Sequence, residues 1–318
     1  MTAEKVELGR YLFYDRRMSV SGHQSCGSCH RQELAFTDGR ARAEGATGEL
    51  HPRSSMSLVN VAYHPVFTWA NPTLDSLEQQ ALIPMVGEDP LELGLKGRER
   101  QFLETLRRDA VYQRLFRQAF PQDPDSFTLS NVVQAIAAFE RSIVSMRSPY
   151  DRYRYGHDQT AISDSAKRGE FLFDSSERAG CFRCHGGWNF GGNVRYEGGP
   201  AAVRGSFANT GVSAYAAPNR GLFEHTRRQE DIGKFRVPSL RNVAVTAPYM
   251  HDGSLATLDD VIDHYAAGGR MDHPNKSRIM RQLDLSAQDR KDLIEFLKSL
   301  TDEEMLHDAR WTDPWNGR

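Results

Sequence analysis

The feature that most constrains this chain is a pair of cysteines three positions apart, with a histidine directly after the second. The pattern occurs twice, as Cys26-Gly27-Ser28-Cys29-His30 and as Cys181-Phe182-Arg183-Cys184-His185, and the two copies use every cysteine in the chain. This spacing is typical of covalent c-type haem attachment, in which each thiol adds to a porphyrin vinyl group and the histidine binds iron. We therefore predict two haem c groups. Attachment is predicted through Cys26, Cys29, Cys181 and Cys184, and iron ligation through His30 and His185.

Three other chemistries use paired cysteines: a zinc site, local disulfides and a thioredoxin-like redox pair. A structural zinc site needs four Cys or His ligands, which two pairs would supply, but it gives no reason for a histidine after each pair. A redox pair normally opens a helix within a βαβ pattern, and the sequence has no such pattern. The motif therefore favours haem attachment.

Length and composition indicate an ordinary globular protein. A chain of 318 residues suggests two domains, and 39% hydrophobic with 26% charged residues is typical of globular chains. The formal net charge of −2 gives no case for a nucleic acid or an anionic membrane surface as partner. No apolar run reaches the length of a transmembrane helix.

The first residues bear on location. Met1-Thr2-Ala3-Glu4-Lys5 lacks the basic region and the apolar stretch of a signal peptide. Because c-type haem is generally attached outside the cytoplasmic membrane, we expect that an export signal has been removed and that the protein works in the periplasm.

An internal repeat accompanies the two motifs. Residues 8–15 precede the first motif and residues 168–174 precede the second, and each segment is typical of a short helix with an apolar face. Few segments alternate polar and apolar residues, so strand content should be low. We predict a mainly α fold of two cytochrome c-like haem domains, residues 1–150 and 151–318, with long irregular loops.

Periodicity and capping residues predict further helices. They lie at residues 74–84, 98–107, 130–146 with Ser130 as N-cap, and 258–267, followed by a last helix capped by Ser286.

Each motif supplies one axial ligand, so function depends on the sixth iron position. Two strong ligands make an electron carrier, whereas an open position can bind peroxide or oxygen. Distal ligands and acid–base groups near each iron therefore decide the function.

The remaining motifs resemble those of one family. Residues 235–243 (FRVPSLRNV), continued by residues 246–253 (TAPYMHDG), resemble the C-terminal signature of bacterial di-haem cytochrome c peroxidases and MauG. The family order is also matched by Trp69, residues 77–81 (LEQQA), Pro84 and residues 90–92 (PLE). Together with the haem motifs, the resemblance covers most of the chain and implies a peroxide-reactive di-haem oxidoreductase.

The resemblance distinguishes the haem of the second motif, here called haem two. Peroxidases that accept electrons from small cytochromes resemble one another in carrying a methionine in the helix after the PYxHDG loop. Tyr265 stands at the matching place, which is similar to MauG. A phenolate is a hard anionic donor, so it would stabilise high iron oxidation states and lower the haem potential. From residue type alone Tyr265 is equally a half-buried helix aromatic, and nearby alternatives for the ligand are His264, Met271 and His273.

At haem one, the family's peroxidases carry a distal histidine in the loop after the motif, which blocks the iron until reduction. The corresponding residues 44–48 contain no histidine, and His51 lies out of register beside Arg53. The resemblance therefore implies that haem one is high-spin and open to peroxide without prior reduction.

Peroxide cleavage needs a base that moves a proton from the inner to the outer oxygen, together with a polar partner. Glu92 and Gln80 match the family's distal pair, with Pro84 beside them. The interval between Pro84 and Glu92 is longer than usual in the family, so Glu88 is a weaker alternative for the base. Without the family, Glu92 would be an ordinary solvated carboxylate.

Trp69 matches the tryptophan that lies between the haems of relatives, where an indole passes a hole by brief oxidation. Its alternative role is that of a core aromatic, and the two roles are compatible. Trp188, Trp311 and Trp315, which we expect at the surface, are further relay candidates, and each is equally a packing residue.

The resemblance also implies a structural calcium ion between the domains. Thr246 and Pro248 match positions whose backbone carbonyls bind it. Ser54 stands where the family has its asparagine ligand, so the third protein ligand would be Ser54 or Asn60, or water would replace it.

These implications combine into one expected function, a peroxide-dependent di-haem oxidase that forms a high-valent state over both haems. It would oxidise residues of a partner protein, above all tryptophan, at long range. Residues 265–270 (YAAGGR) and 275–277 (NKS) resemble the MbnH-type branch of MauG relatives, which is associated with a copper-binding periplasmic partner, an MbnP-type protein. The alternatives are a cytochrome c peroxidase that draws electrons from a small cytochrome, and a non-enzymatic di-haem electron carrier.

Overall fold

The computed structural model describes residues 1–197, 207–215 and 218–315, and helices dominate them. The named strands Phe207–Ala208 (β1) and Phe235–Arg236 (β2) form one antiparallel pair, so the predicted mainly α fold is confirmed. None of the described helices is long and apolar enough to cross a membrane. The α-helices are Ala3–Tyr14 (α1), Cys26–Cys29 (α2), Leu77–Val86 (α3), Glu99–Arg107 (α4), Ala110–Ala119 (α5), Leu129–Ser142 (α6), Pro149–Arg154 (α7), Asp164–Asp174 (α8), Phe182–His185 (α9), Phe223–Thr226 (α10), Leu258–Ala266 (α11), Ala287–Ser299 (α12) and Glu303–His307 (α13). Short 3-10 helices lie at Arg16–Met18, Gln32–Leu34, Val61–Tyr63, Gln229–Asp231 and Val243–Val245.

Each half of the chain is built on a pair of packed helices, α1 with α6 in the first half and α8 with α12 in the second. Gly9 and Gly169 stand at the two contacts. A Cβ added at Gly9 would lie 1.9 Å from the carbonyl oxygen of Ala135, and one added at Gly169 would lie 2.0 Å from that of Asp292. The two segments that repeat in the sequence therefore also repeat in the structure. In each, a glycine stands where the two helices touch, because a side chain would collide with the facing backbone.

The predicted helix at residues 130–146 differs at both ends. It spans Leu129–Ser142, and its N-cap is Thr128 rather than Ser130, because the Thr128 side chain accepts a hydrogen bond from the backbone N–H three residues on. Ser286 caps α12 as predicted. The helix α13 follows, however, so α12 is not the last helix of the described chain.

The end of the chain returns to the first hydrophobic core. Met305 and Leu306 of α13 are buried in the cluster that contains Phe13 of α1 and Phe139 of α6. Part of the predicted second domain thus completes the core of the first. The boundary between residues 150 and 151 stays a prediction.

The three tryptophans expected at the surface are buried to different degrees. Trp311 is only 3% exposed and donates from Nε1 to the Ser142 hydroxyl at 3.1 Å, so the expectation that it lies at the surface is wrong. Trp315 is half-buried and donates from Nε1 to the carbonyl oxygen of Tyr11 at 3.1 Å. Trp188 is also half-buried.

A buried hydrogen-bond network, here called the asparagine junction, joins the halves of the chain. The Asn60 amide donates to the carbonyl oxygen of Ser145 at 3.1 Å and to the side chain of Asn189 at 3.0 Å. The Asn242 amide donates to the Ser145 hydroxyl at 3.0 Å, and that hydroxyl donates to Asp302 at 3.2 Å. Both Asn60 and Asn242 are fully buried, with φ of +57° and +60°. Asparagine tolerates this left-handed conformation better than most residues.

The glycine contact gives a stability test. In Gly169→Ala we expect the free energy of unfolding to fall by about 1–3 kcal/mol, because the added methyl overpacks the contact with α12. At an ordinary helix position the same exchange would be stabilising. Lys167→Ala, on the same helix, is the control and should stay within about 0.5 kcal/mol of wild type in urea unfolding. An unchanged or raised stability of Gly169→Ala would contradict the contact.

Candidate di-haem site

The first haem motif borders a cavity of about 70 Å³. Cys26 and Cys29 begin and end the short helix α2, and both thiols are free. The Nδ1–H of His30 donates to the carbonyl oxygen of Phe36 at 2.8 Å. This bond orients the ring and leaves Nε2 with the lone pair that a metal ligand needs.

Gln80, Pro84 and Glu92 line the same cavity. Gln80 and Pro84 lie one turn apart on α3, which the Ser76 side chain caps. Glu92 follows in the next loop, where the backbone N–H of Leu93 donates to the carbonyl oxygen of Pro84 at 2.9 Å. The structure therefore brings the three predicted distal residues together beside the first motif.

The protonation of Glu92 is set by its surroundings. Burial raises the pKa of its carboxyl to about 7, close to the value that suits a general base at neutral pH. Glu88, the alternative base, is 62% exposed, pairs with Lys96, and does not line the cavity. Placement therefore favours Glu92.

His51 also lines the first cavity, although the sequence placed it out of register. Its Nδ1 accepts a hydrogen bond from the backbone N–H of Arg53 at 3.1 Å. Burial, followed by the nearby Arg53 charge, lowers the pKa of His51, so its ring is neutral at pH 7. A neutral imidazole is a competent iron ligand. The open sixth position of haem one stays a prediction, and His51 is its rival.

Glu140 of α6 is a polar residue of the first cavity that the sequence motifs did not reveal. It is 5% exposed, and its Oε2 has no hydrogen-bond partner. Burial raises the pKa of this carboxyl to about 8. Its burial could have been predicted from spacing, because Val133, Ile136 and Glu140 lie at i, i+3 and i+7 on the apolar face of α6.

The second haem motif borders a larger cavity of about 260 Å³. Cys181 and Cys184 line it with free thiols, and His185 ends the short helix α9. The Nδ1 of His185 lies 3.1 Å from the carbonyl oxygen of Phe190 and 3.2 Å from that of Pro238, as the donor to both. As in the first cavity, the Nε2 lone pair is left for iron.

Tyr265, on α11, lines the second cavity. Burial, followed by the nearby thiols of Cys184 and Cys181, raises the pKa of its phenol above the ordinary value. A phenolate is therefore disfavoured in this cavity unless a cation stabilises it. Iron at the second haem position would supply that charge.

The alternative ligands of haem two lie elsewhere. His264, Met271 and His273 are not part of the cavity wall, and Met271 is 44% exposed. Met280, which no sequence motif marked, does line the cavity. Placement favours Tyr265 among the predicted candidates and adds Met280 to them.

One stretch of chain separates the two cavities. Leu58 lines the first cavity, whereas its neighbours Ser57 and Val59 line the second. Trp69 lines the second cavity, and its Nε1–H donates to the carbonyl oxygen of Ser54 at 2.9 Å. Trp69 is thus hydrogen-bonded to the same segment that divides the cavities, which suits a relay.

The predicted calcium ligands Thr246, Pro248 and Ser54 all line the second cavity. The Ser54 hydroxyl donates to the carbonyl oxygen of Met250 at 3.1 Å. Asn60 does not line this cavity, and its side-chain oxygen accepts a hydrogen bond from the backbone N–H of Ser145 in the asparagine junction. A calcium ion would depend on neutral oxygens here, and it stays a prediction.

The residues present fit two covalently attached haem groups. Each cavity offers two free thiols and a histidine whose Nε2 is available. In the described part of the chain no three His, Cys, Asp or Glu side chains come together as a metal site, and none of the four cysteines forms a disulfide. The zinc and disulfide alternatives therefore have no structural support.

Comparisons with known proteins agree with this geometry. Residues 3–159 match the family described as Di-haem cytochrome c peroxidase, and residues 166–301 match the family described as Cytochrome c. The chain is 36% identical over 303 residues to the methylamine utilization protein MauG of Methylorubrum extorquens, a match that covers 95% of this chain and 80% of that protein.

Two further relatives are a peroxidase and a MauG-like protein. The cytochrome-c peroxidase IdrP1 of Denitromonas iodatirespirans is 36% identical over 342 residues, covering 97% of this chain and 84% of that protein. The crystal structure of a MauG-like protein associated with microbial copper homeostasis superimposes with a TM-score of 0.94 at 42% identity, covering 99% of this chain and 94% of that one.

The buried carboxyl of Glu140 gives a pH test. Its pKa is about 8 in the folded chain against 4.5 as the ordinary value, so the folded state holds a proton that the unfolded state releases, and stability falls as pH rises between the two. Glu140→Gln has no carboxyl to titrate, so it does not lose stability in this way as the pH rises. We expect the variant to gain about 2–4 kcal/mol over wild type on going from pH 5 to pH 8 in urea unfolding of the holoprotein.

The control for this test is Glu104→Gln, which changes an exposed carboxyl on α4. Its difference from wild type should be the same at both pH values. A Glu140→Gln variant that follows wild type at both pH values would show that the carboxyl is not enclosed as described.

Proposed function

This chain belongs to the family of di-haem cytochrome c peroxidases and MauG, and we propose that it is a peroxide-dependent oxidase that removes electrons from a partner protein. It is an oxidoreductase with two covalently attached haem c groups. One observation carries the proposal: the two cavities are chemically unlike. Gln80 and Glu92 line the first, as peroxide cleavage requires, whereas Tyr265 lines the second.

The first cavity supplies the proton chemistry. Bound haem iron provides the capacity to take up the two oxidising equivalents of one peroxide molecule. Glu92, as a carboxylate, accepts the proton of the inner peroxide oxygen and returns it to the outer oxygen, which leaves as water. The Gln80 amide holds the oxygen pair by hydrogen bonding, and Pro84 lies one turn away on the same helix. Overall, peroxide takes up two protons and two electrons to give two waters.

The residues of the second cavity would hold haem two, which would supply the capacity to keep an oxidising equivalent. A Tyr265 phenolate would lower the reduction potential of haem two and favour its oxidised forms. Trp69 passes a hole between the haems, which divides one long electron transfer into two short ones. The two electrons are finally taken from residues of the partner, with tryptophan as the proposed target.

The nature of the partner is suggested by one relative. The solved MauG-like protein that is associated with copper homeostasis shares 42% of its residues with this chain over nearly the full length of both. We infer that the substrate is a copper-binding protein of the MbnP type. Because c-type haem is attached outside the cytoplasmic membrane, both proteins would meet in the periplasm.

A second candidate function is that of a cytochrome c peroxidase, which reduces peroxide with electrons from a small cytochrome. It is favoured by the peroxidase IdrP1 of Denitromonas iodatirespirans, which is 36% identical to this chain, the same value as for the MauG of Methylorubrum extorquens. The two functions differ in the state of haem one. A histidine-blocked haem one, with His51 as the ligand, would need prior reduction, whereas an open one would not.

The test is to add one equivalent of hydrogen peroxide to the fully oxidised holoprotein and follow its absorption spectrum. We expect an immediate change that lasts for minutes and disappears when an oxidisable partner is added. A spectrum that stays unchanged until one haem has been reduced would overturn the oxidase proposal in favour of the peroxidase. An electron carrier would not react under either condition.

The same reaction tests the base. With a pKa of about 7, Glu92 is protonated below this pH and cannot accept a proton, so the rate constant should rise with pH through about 7. Glu92→Gln should slow the reaction by about 10²–10⁴-fold and remove this pH dependence. Glu88→Gln, which changes the exposed alternative, should behave as wild type. The reverse pattern for the two variants would assign the base to Glu88.

A further inference from the structure

Arg236 is a buried cation without a carboxylate partner. It is 5% exposed, and it forms none of the ion pairs of the described residues. Its Nη1 donates to the carbonyl oxygen of Val66 at 2.6 Å and to Nδ1 of His64 at 3.0 Å. Its Nε–H has no partner. Burial lowers the pKa of the guanidinium to about 9, so it is still charged at pH 7.

His64 beside it offers a second unused donor. It is 5% exposed, and its Nδ1 accepts the hydrogen bond from Arg236. The proton of the neutral ring is therefore on Nε2, and this N–H has no partner. Burial, followed by the Arg236 charge, lowers the pKa of His64 well below its ordinary value, so the ring stays neutral.

Both residues line the second cavity, whose described lining contains no aspartate or glutamate. The two other arginines that line the cavity have hydrogen-bond partners of their own. Arg241 pairs with Asp151 at 2.7 Å, and Arg281 donates to three backbone carbonyls of residues 176–178. Arg281 is exposed, so its charge is solvated. Two unused donors and one buried positive charge without a carboxylate partner thus border the space that haem two would occupy. An unpaired buried charge is costly, so a site of this kind calls for an anion.

We propose that Arg236 and His64 together bind one propionate carboxylate of haem two. A propionate is the anionic group that haem itself carries into the cavity. The Nε–H of Arg236 and the Nε2–H of His64 would donate to its oxygens, and the guanidinium would neutralise its charge. His64 comes from the first half of the chain and Arg236 from the second, so the site ties the cofactor to both halves.

The site also fixes the relay residue. The backbone N–H of Arg236 donates to the carbonyl oxygen of Trp69 at 2.8 Å. The residue that binds the propionate is therefore hydrogen-bonded to the tryptophan proposed to pass the hole. The proposal rests on the presence of haem two and not on the reaction with peroxide, so its test does not use peroxide.

The experiment measures the reduction potential of the haem attached to Cys181 and Cys184, resolved by its electron paramagnetic resonance signals at pH 7. Arg236→Gln removes a positive charge that favours the reduced haem. We expect at least a tenfold fall in the equilibrium constant for its one-electron reduction, which is 59 mV. Arg236→Lys keeps the positive charge, so its reduction potential should lie close to that of wild type. His64→Gln keeps a hydrogen-bond donor and should therefore keep the potential. His64→Leu removes the donor and should lower the potential.

Arg154→Gln is the matched control, because it removes an exposed arginine of the second half of the chain that does not line the cavity. It should leave the potential unchanged. If Arg236→Gln retains both haems and its potential equals that of the control, the proposal is wrong. A wild-type potential that responds to millimolar chloride, with the response lost in Arg236→Gln, would assign the site to a free anion and also overturn it.

A measurement on the wild-type holoprotein covers the case in which the variants do not fold. Haem carrying ¹³C in its propionate carboxylates is made by growth on labelled 5-aminolaevulinate, and infrared difference spectra are recorded on reduction of haem two. We expect one propionate band to be displaced by hydrogen bonding and shifted by H/D exchange. Two bands at the frequency of solvated carboxylates would refute the site.

Discussion

The buried hydrogen bonds of the asparagine junction hold the two haem cavities side by side. Asn60 and Asn242 are fully buried, and each bonds to Ser145 at the meeting point of the halves. A buried amide without partners would cost about 1–3 kcal/mol, so the bonds are made in one arrangement of the halves and lost in others. The segment that begins at Ser54 and ends at Asn60 also divides the cavities. The position of Trp69, which bonds to this segment, therefore depends on the same junction.

The junction is itself part of the internal repeat. Residues 57–61 (SLVNV) and 239–243 (SLRNV) each place a left-handed asparagine before a short 3-10 helix, and each lies downstream of one haem motif. With Gly9 and Gly169 at the two helix contacts, the halves share one plan. The proposed function depends on the residues in which the two halves differ. The first cavity encloses two carboxyl groups of raised pKa, Glu92 and Glu140, whereas the described lining of the second has no carboxyl and a buried guanidinium.

This difference in charge supports the proposal that the two haems have different tasks. Carboxyl groups with a pKa near neutrality can exchange protons, which peroxide cleavage requires. A cavity whose described lining has a cation and a phenol but no carboxyl lacks such groups, and it would instead set the potential of an iron that only gains or loses electrons. The cation raises that potential and a Tyr265 phenolate lowers it, so the balance between Arg236 and Tyr265 would tune haem two.

The sequence was sufficient for what depends on local spacing. The Cys-x-x-Cys-His motifs, the mainly α fold and the α12 cap at Ser286 follow from residues close together in the chain. Gln80, Pro84 and Glu92 were selected by family resemblance, and the structure brings them to one cavity. Glu140 and His64 were not selected, because their meaning comes from burial without a partner, which no local pattern displays. The burial of Trp311 was missed for the same reason: its contacts are with α6, far away in the chain.

The measurement that tests the central claim most directly is Mössbauer spectroscopy of ⁵⁷Fe-labelled holoprotein, wild type and Tyr265→Phe, frozen after one equivalent of peroxide. If haem two shares the oxidation and Tyr265 stabilises it, both iron sites of wild type should leave the ferric state in equal amounts. In Tyr265→Phe only the haem one site should do so, and for a shorter time. A wild-type spectrum in which haem two stays ferric, or a variant that behaves as wild type, would contradict the account.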